Sequence, residues 1–142
     1  MLTLTCAKSP CVSCPYRRDV PSGVWHAHEY DKLPDYDGSI GEQVMNGRAV
    51  ARFDCHQQNG KLCAGWIGVH GASNLLAMRL LSFNDGVEID RKVWTYKSPV
   101  PLFGSGAEAA AHGKRAINRP GKAGKAMVAR LQRKFAGRLK IK

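Results

Sequence analysis

No stretch of the 142 residues is apolar enough to span a bilayer: the longest uninterrupted apolar run is a few residues, against the ~20 that a spanning helix needs. The start, Met1-Leu2-Thr3-Leu4-Thr5-Cys6, lacks the basic opening and long apolar core of a secretory leader, so a reducing cytoplasm is the expected compartment. Acids are scarce, with 11 Asp and Glu against 22 Lys and Arg, for a formal charge of +11. Such a balance suits a polyanion or an acidic protein surface as partner. Neither standard Gly-rich phosphate loop is present, and no internal repeat is visible. The zinc deaminase pattern fails as well: Pro10-Cys11-Val12-Ser13-Cys14 matches one half of it, but no His-x-Glu segment precedes it. Asp85 and Asp90-Arg91-Lys92 bear only a faint likeness to a metal-dependent nuclease, without a second well-placed acid. No catalytic assembly is therefore expected.

The charge that is present is unevenly placed. Residues 1–103 hold eleven basic and ten acidic side chains, whereas residues 104–142 hold eleven basic residues and Glu108 alone. Gly104-Ser105-Gly106, following Pro99-Val100-Pro101, reads as a linker. The division expected is a body, 1–103, and a basic arm, 104–142. In the arm, Ala107 to Ala111 forms a short helix that Gly113 should break. From Lys122 onward Met127, Leu131, Phe135 and Leu139 recur every four residues beside Val128, an apolar stripe on a second helix. The stripe faces the body or a partner. Lys122, Lys125, Arg130, Arg133, Lys134 and Arg138 are then the residues expected to meet nucleic-acid phosphates. A solvated helix that merely caps the body is the plainer alternative. An absence of Trp among its apolar anchors weakens a membrane-surface role.

In a reducing compartment five cysteines point to metal ligands rather than disulfides. Cys11 and Cys14 stand three positions apart on a tight turn, a spacing that aims two thiolates at one ion. Cys55 and Cys63 flank Asn59-Gly60, a strong hairpin signal. The expected site is Cys11, Cys14, Cys55 and Cys63. With a two-residue loop, His56 would lie opposite Cys63 and replace Cys55 as ligand; with a three-residue loop and a Gly bulge, Cys55 would lie opposite Cys63, leaving His56 as a reserve ligand or outer donor. Burial of the cysteines as small apolar side chains is the competing explanation. Zinc fits a small body that needs a staple. A 4Fe–4S cluster is the other candidate, since Cys14-Pro15 and the Cys6, Cys11, Cys14 spacing match iron–sulfur patterns. Cys6 is treated as a spare thiol.

Elsewhere Ser39-Ile40-Gly41-Glu42 has capping-box spacing and starts a helix ending near Asn46-Gly47. Arg48 to Cys55 reads as a strand. Leu75 to Leu81 is the expected central core helix, capped by Ser73 or Asn74 and stopped by Asn84-Asp85-Gly86. Trp25, Trp66 and Trp94 belong in the core, with base stacking by Trp25 or Tyr30 as the alternative. The fold class is α+β: a small metal-stapled domain with a β-hairpin and a core helix, and a basic helical arm.

Taken together, Cys11-x2-Cys14-Pro15-Tyr16-Arg17, Gly23-Val24-Trp25, Glu29-Tyr30-Asp31-Lys32-Leu33, Cys55-His56, Cys63-Ala64-Gly65-Trp66 and Leu76-Ala77-Met78-Arg79-Leu80 carry a resemblance. The chain resembles a group of small domain-of-unknown-function proteins of actinobacteria and their bacteriophages, over roughly residues 6 to 82. The resemblance implies that Cys11, Cys14, Cys55, His56 and Cys63 belong together, and it transfers no activity. The functions expected are nucleic-acid binding through the arm, docking of the Met127, Leu131 and Phe135 stripe on a host protein as part of a phage or bacterial regulator, or an iron–sulfur sensor.

Overall fold

The structure, a computed structural model, describes residues 2–135; Arg138 and Leu139 lie outside the described residues. Within them the chain runs β1 (Leu2–Cys6), α1 (Ala27–Asp31), α2 (Ile40–Asn46), β2 (Lys61–Leu62), α3 (Ala64–His70), α4 (Leu76–Ser82), β3 (Val87–Ile89), α5 (Arg91–Trp94), α6 (Gly106–Lys114) and α7 (Lys122–Lys134). The class is α+β, seven α-helices among the described residues around one small sheet. That sheet is parallel, ordered β2-β1-β3, with Thr5 beside Lys61 and Thr3 beside Glu88. The segment expected as a strand, Arg48 to Cys55, is irregular apart from a single antiparallel bridge between Asp54 and Leu62. Its place in the sheet is taken by β1, whose Leu-Thr alternation buries Leu4.

α2 forms as its capping box dictates. Ser39 Oγ accepts from Glu42 N, Glu42 Oε1 accepts from Ser39 N at 3.0 Å, and Gly47 ends the helix at φ 68°. α4 is capped differently from expectation. Neither Ser73 nor Asn74 caps it; Leu75 precedes it, and Gln43 of α2 supplies the acceptor, Oε1 taking Leu76 N at 3.0 Å. Gln43 is fully buried and also donates to Gly38 O and Asn74 O, so one amide ties two helices together. The central helix is α3 rather than α4: Trp66 and Ile67 are buried on it, while Leu80 of α4 is 47% exposed. Trp25 and Tyr30 are buried too, and Trp94 packs against the core, so neither base-stacking candidate is accessible.

Residues 105–135 lie on the body. Ser105 and Gly106, read from sequence as linker, are the N-cap and first residue of α6. Asp37 accepts from the amides of Gly106 (2.7 Å) and Ala107 (2.8 Å), which places a carboxylate at the positive end of the helix. Gly113 does not break α6 but lies inside it, against the ring of Tyr30. α7 begins where expected, and Leu131 and Phe135 are buried, with Met127 and Val128 packed against the core.

Between α3 and α6, His70 sits with its Nδ1 3.6 Å from Asp37 Oδ1 and its Nε2 3.3 Å from Tyr16 OH. Burial pushes its pKa down to about 4, an effect the Asp37 charge only partly offsets. The unfolded chain therefore binds a proton that the folded chain refuses between pH 6.5 and 4. This contribution is complete above pH 6.5 and lost as the pH falls towards 4, about 3 kcal/mol over the full range. Urea unfolding across pH 4 to 7 is expected to show His70→Asn losing less stability on acidification than the parent chain; parallel curves would show that His70 is not buried as a neutral ring.

Candidate metal centre and basic face

Three of the cysteines lie on segments that leave the C-terminal edge of the parallel sheet, where open α/β arrangements place their ligands. Cys11 and Cys14 lie on the loop that leaves β1, and Cys63 directly follows β2 as the N-cap of α3. The loop is tightly organised: Cys14 N donates to Cys11 O at 2.9 Å, and Arg17 N to Cys14 O at 3.1 Å. Arg17 Nη1 reaches back to Pro10 O at 3.0 Å while its other side is held by Asp19. Ser13, fully buried, takes Trp25 Nε1 on its carbonyl and Gln57 Nε2 on its hydroxyl, both at 2.7 Å. Arg17, Ser13 and Gln57 had no signal in sequence beyond their nearness to cysteines. Their roles come from the loop's folding back on itself.

The structure brings two of the thiols into contact. Cys14 Sγ and Cys63 Sγ are 3.8 Å apart, both side chains buried, while Cys11 Sγ lies 3.7 Å from Ser13 Oγ and Cys11 and Cys55 influence each other's ionisation. Two thiolates bound tetrahedrally at ~2.3 Å from one zinc ion stand about 3.8 Å apart, so the Cys14–Cys63 pair has the spacing of a ligand edge. No cluster of three or more Cys, His, Asp or Glu side chains able to hold an ion is assembled among the described residues. All five cysteines are free thiols.

The register of the second strand explains the pairing. Asn59-Gly60 makes a turn, with Lys61 N donating to Gln58 O at 3.2 Å and Gly60 at φ 78°. The ladder then sets Asp54 opposite Leu62, with Cys55 N on Lys61 O at 2.8 Å and Cys63 N on Phe53 O at 2.9 Å. Neither expected register is adopted: Cys55 and Cys63 share a face diagonally, and His56 is not opposite Cys63. Cys63 meets Cys14 of the Cys11–Cys14 loop, and Cys55 Sγ accepts from Gln58 N at 3.3 Å within its own segment.

The thiols differ electrostatically. The Cys11 hydrogen bond, reinforced against burial by the amides of Gln57 and Gln58, lowers Cys55 to about 6. Its partner Cys11 is raised by that bond and by burial, and Cys14 by its bond to Cys63 and by burial. Cys6, part-buried and near Cys55 and Cys63, is pushed up to about 12 mainly by burial. A buried group of soft sulfur donors with backbone amides aimed at one of them is chemistry suited to zinc or an iron–sulfur cluster. Gly65 is part of the same packing, because a Cβ there would run into Cys14 Sγ and Tyr16.

His56 is engaged elsewhere. Its ring stacks on Trp25 at 4.7 Å, and its Nε2 is 2.9 Å from Glu29 Oε2, which Lys32 also approaches at 3.1 Å. Burial alone would raise Glu29; His56 and Lys32 outweigh it and hold the carboxyl down at about 2.

On α7, Lys122, Lys125, Arg130 and Arg133 are exposed on the side opposite Gly124, Leu131 and Phe135. None of the four forms an ion pair among the described residues. Lys134 donates to Gln57 Oε1 at 2.6 Å, so the residue that steadies Ser13 also touches the basic helix. A concavity of about 500 Å³ lies apart from both features, beside Thr3, Glu88, Asp90 and Lys92. There Asp90 is occupied in capping α5 through Lys92 N.

Fold and site together define a small α+β domain with a buried thiol cluster at the edge of a parallel sheet and a basic helix docked beside it. The chain belongs to the family of unknown function DUF6283, whose model matches residues 6–133. The match runs well past residue 82 and takes in α6 and nearly all of α7, so the basic helix belongs to the family's domain rather than lying outside it. No curated protein and no solved structure matches the chain.

Proposed function

We propose that this is a small nucleic-acid-binding protein, a regulator in a bacterium or its phage, in which Cys11, Cys14, Cys55 and Cys63 hold a structural zinc ion and α7 contacts phosphates. The observation that carries the reading is the set of four cations without an ion pair among the described residues, Lys122, Lys125, Arg130 and Arg133, displayed on one side of a helix whose other side is buried in the body. A helix fixed in this way presents its charges at constant spacing, which lets them replace condensed counterions on successive phosphates. The metal's part is mechanical: holding the Cys11–Cys14 loop to the Cys55 loop also positions Gln57 and, through it, Lys134. Burial of Leu131 and Phe135 favours this reading over a helix that docks its apolar stripe in a partner's groove. Among the described residues no helix is long and apolar enough to cross a membrane.

The test is fluorescence anisotropy with labelled oligonucleotides over a range of salt. The triple variant Lys125→Ala/Arg130→Ala/Arg133→Ala is expected to bind at least ten-fold more weakly and to flatten the slope of log affinity against log salt by about three, one per phosphate contact removed. Unchanged affinity and slope would remove α7 from the interface. Metal analysis of anaerobically purified protein distinguishes the ions: zinc near one per chain in a colourless sample supports the staple, whereas a brown sample supports the sensor.

A further inference from the structure

The turn that precedes α7 is concave. Lys114 to Arg119 line a hollow of about 300 Å³, and a second of about 250 Å³ is lined by His26, Ala27, Ile117 and Asn118. The two share Ile117 and Asn118, so they adjoin. One is rimmed by cations: Arg115 and Arg119 are exposed and form no ion pair among the described residues. The other carries an imidazole, an amide and apolar surface. His26 Nδ1 accepts from His28 N at 3.3 Å, which leaves Nε2 as the ring's donor when neutral.

The turn is preformed. Ser22 Oγ accepts from Ala116 N at 2.9 Å and donates to Gly113 O, while Gly23 N donates to Gly113 O at 2.8 Å. A Cβ on Gly23 would stand 2.6 Å from Ala116 O, and one on Gly124 2.8 Å from Ser22 O. The turn and the start of α7 are thus seated on residues 21–23 with no slack, and the hollows exist before any ligand arrives.

Resting on the nucleic-acid reading above, we infer that this turn holds one nucleotide of a single strand. Arg115 and Arg119 take its phosphate, and His26, Ile117 and Asn118 take its base. A convex basic helix alone would serve a duplex as well as a strand. A cation-rimmed hollow joined to a mixed aromatic, amide and apolar hollow provides what only an unstacked nucleotide can use: charge for the backbone, a flat ring for the base face and hydrogen-bonding groups for its edge.

The experiment compares labelled single-stranded DNA, single-stranded RNA and the matching DNA duplex, by anisotropy at fixed and varied salt. The single strand is expected to bind the parent chain at least ten-fold more tightly than the duplex, and the two single strands report whether the sugar matters. His26→Ala/Asn118→Ala is expected to weaken single-strand binding at least five-fold with the salt slope unchanged and duplex binding unaffected. Arg115→Ala/Arg119→Ala is expected to lower single-strand affinity and flatten the slope by about two. Because His26 is the N-cap of α1, Asn118→Ala alone provides the check on folding, with a smaller loss of the same kind expected. Duplex binding equal to single-strand binding overturns the inference, as does parental affinity in both turn variants while the α7 triple variant is defective. Failure of the parent chain to bind any nucleic acid overturns the proposed function itself.

Discussion

If Cys11, Cys14, Cys55 and Cys63 hold zinc as proposed, Cys14→Ser or Cys63→Ser is expected to abolish metal binding and leave the chain unfolded at 25 °C, whereas Cys6→Ser leaves one metal per chain and a cooperative unfolding transition. A structural zinc site contributes ~10–16 kcal/mol of coupled binding and folding, comparable with the ~5–15 kcal/mol stability of a whole domain, so the part of it lost with one of four ligands removes much of what holds the fold. Cys14 and Cys63 are the sensitive positions because both are buried and their sulfurs stand 3.8 Å apart, so neither can be replaced by water entering from outside. Among the described residues the Cys6 thiol bonds only its neighbour's carbonyl, Ala7 O at 3.3 Å. Elemental analysis together with circular dichroism reads both halves of the result. A folded Cys14→Ser protein retaining stoichiometric metal would show that the thiols are merely packed in the core.

Alanine at position 113 is expected to destabilise the protein by about 3 kcal/mol or more, measured as a shift of the urea midpoint, although alanine ordinarily favours a helix over glycine. The added methyl would fall on the ring of Tyr30, which cannot retreat: Tyr30 is buried, and its hydroxyl takes the amides of Val24 (3.1 Å) and Trp25 (2.9 Å). Gly41→Ala provides the control of opposite sign. It also lies within a helix, its Cβ would approach nothing closer than Ser39 Oγ at 3.8 Å, and it is expected to stabilise by ~0.5–1 kcal/mol. A midpoint for Gly113→Ala at or above the parent's would mean that α6 does not press on α1.

The misreading of Gly113 shows where local reasoning stops. In a window of sequence it is a helix breaker; in the fold it is the only residue small enough to let α6 lie against Tyr30. Gln43 is the same kind of case, an unremarked polar residue in a short helix that caps another helix 33 positions later. His56 adjoins a thiol that the sequence marks as a ligand, yet Trp25 and Glu29 claim its ring. Each outcome depends on a contact with a residue far along the chain, which no spacing rule reports.

What the sequence determined by itself is what acts within a few residues. The capping box and Gly47 set the bounds of α2, the four-residue apolar period built α7 with its cations on the opposite side, and the Cys11–Cys14 spacing made a turn. These follow from backbone hydrogen bonds and side-chain directions that close over one helical turn or one loop. The tertiary structure alone decided the parallel β2-β1-β3 order, the register that set Cys63 against Cys14, and the docking of α6 and α7 on the body. Strand pairing and helix seating are chosen by which distant surfaces bury one another best, and that choice is a property of the whole packed chain.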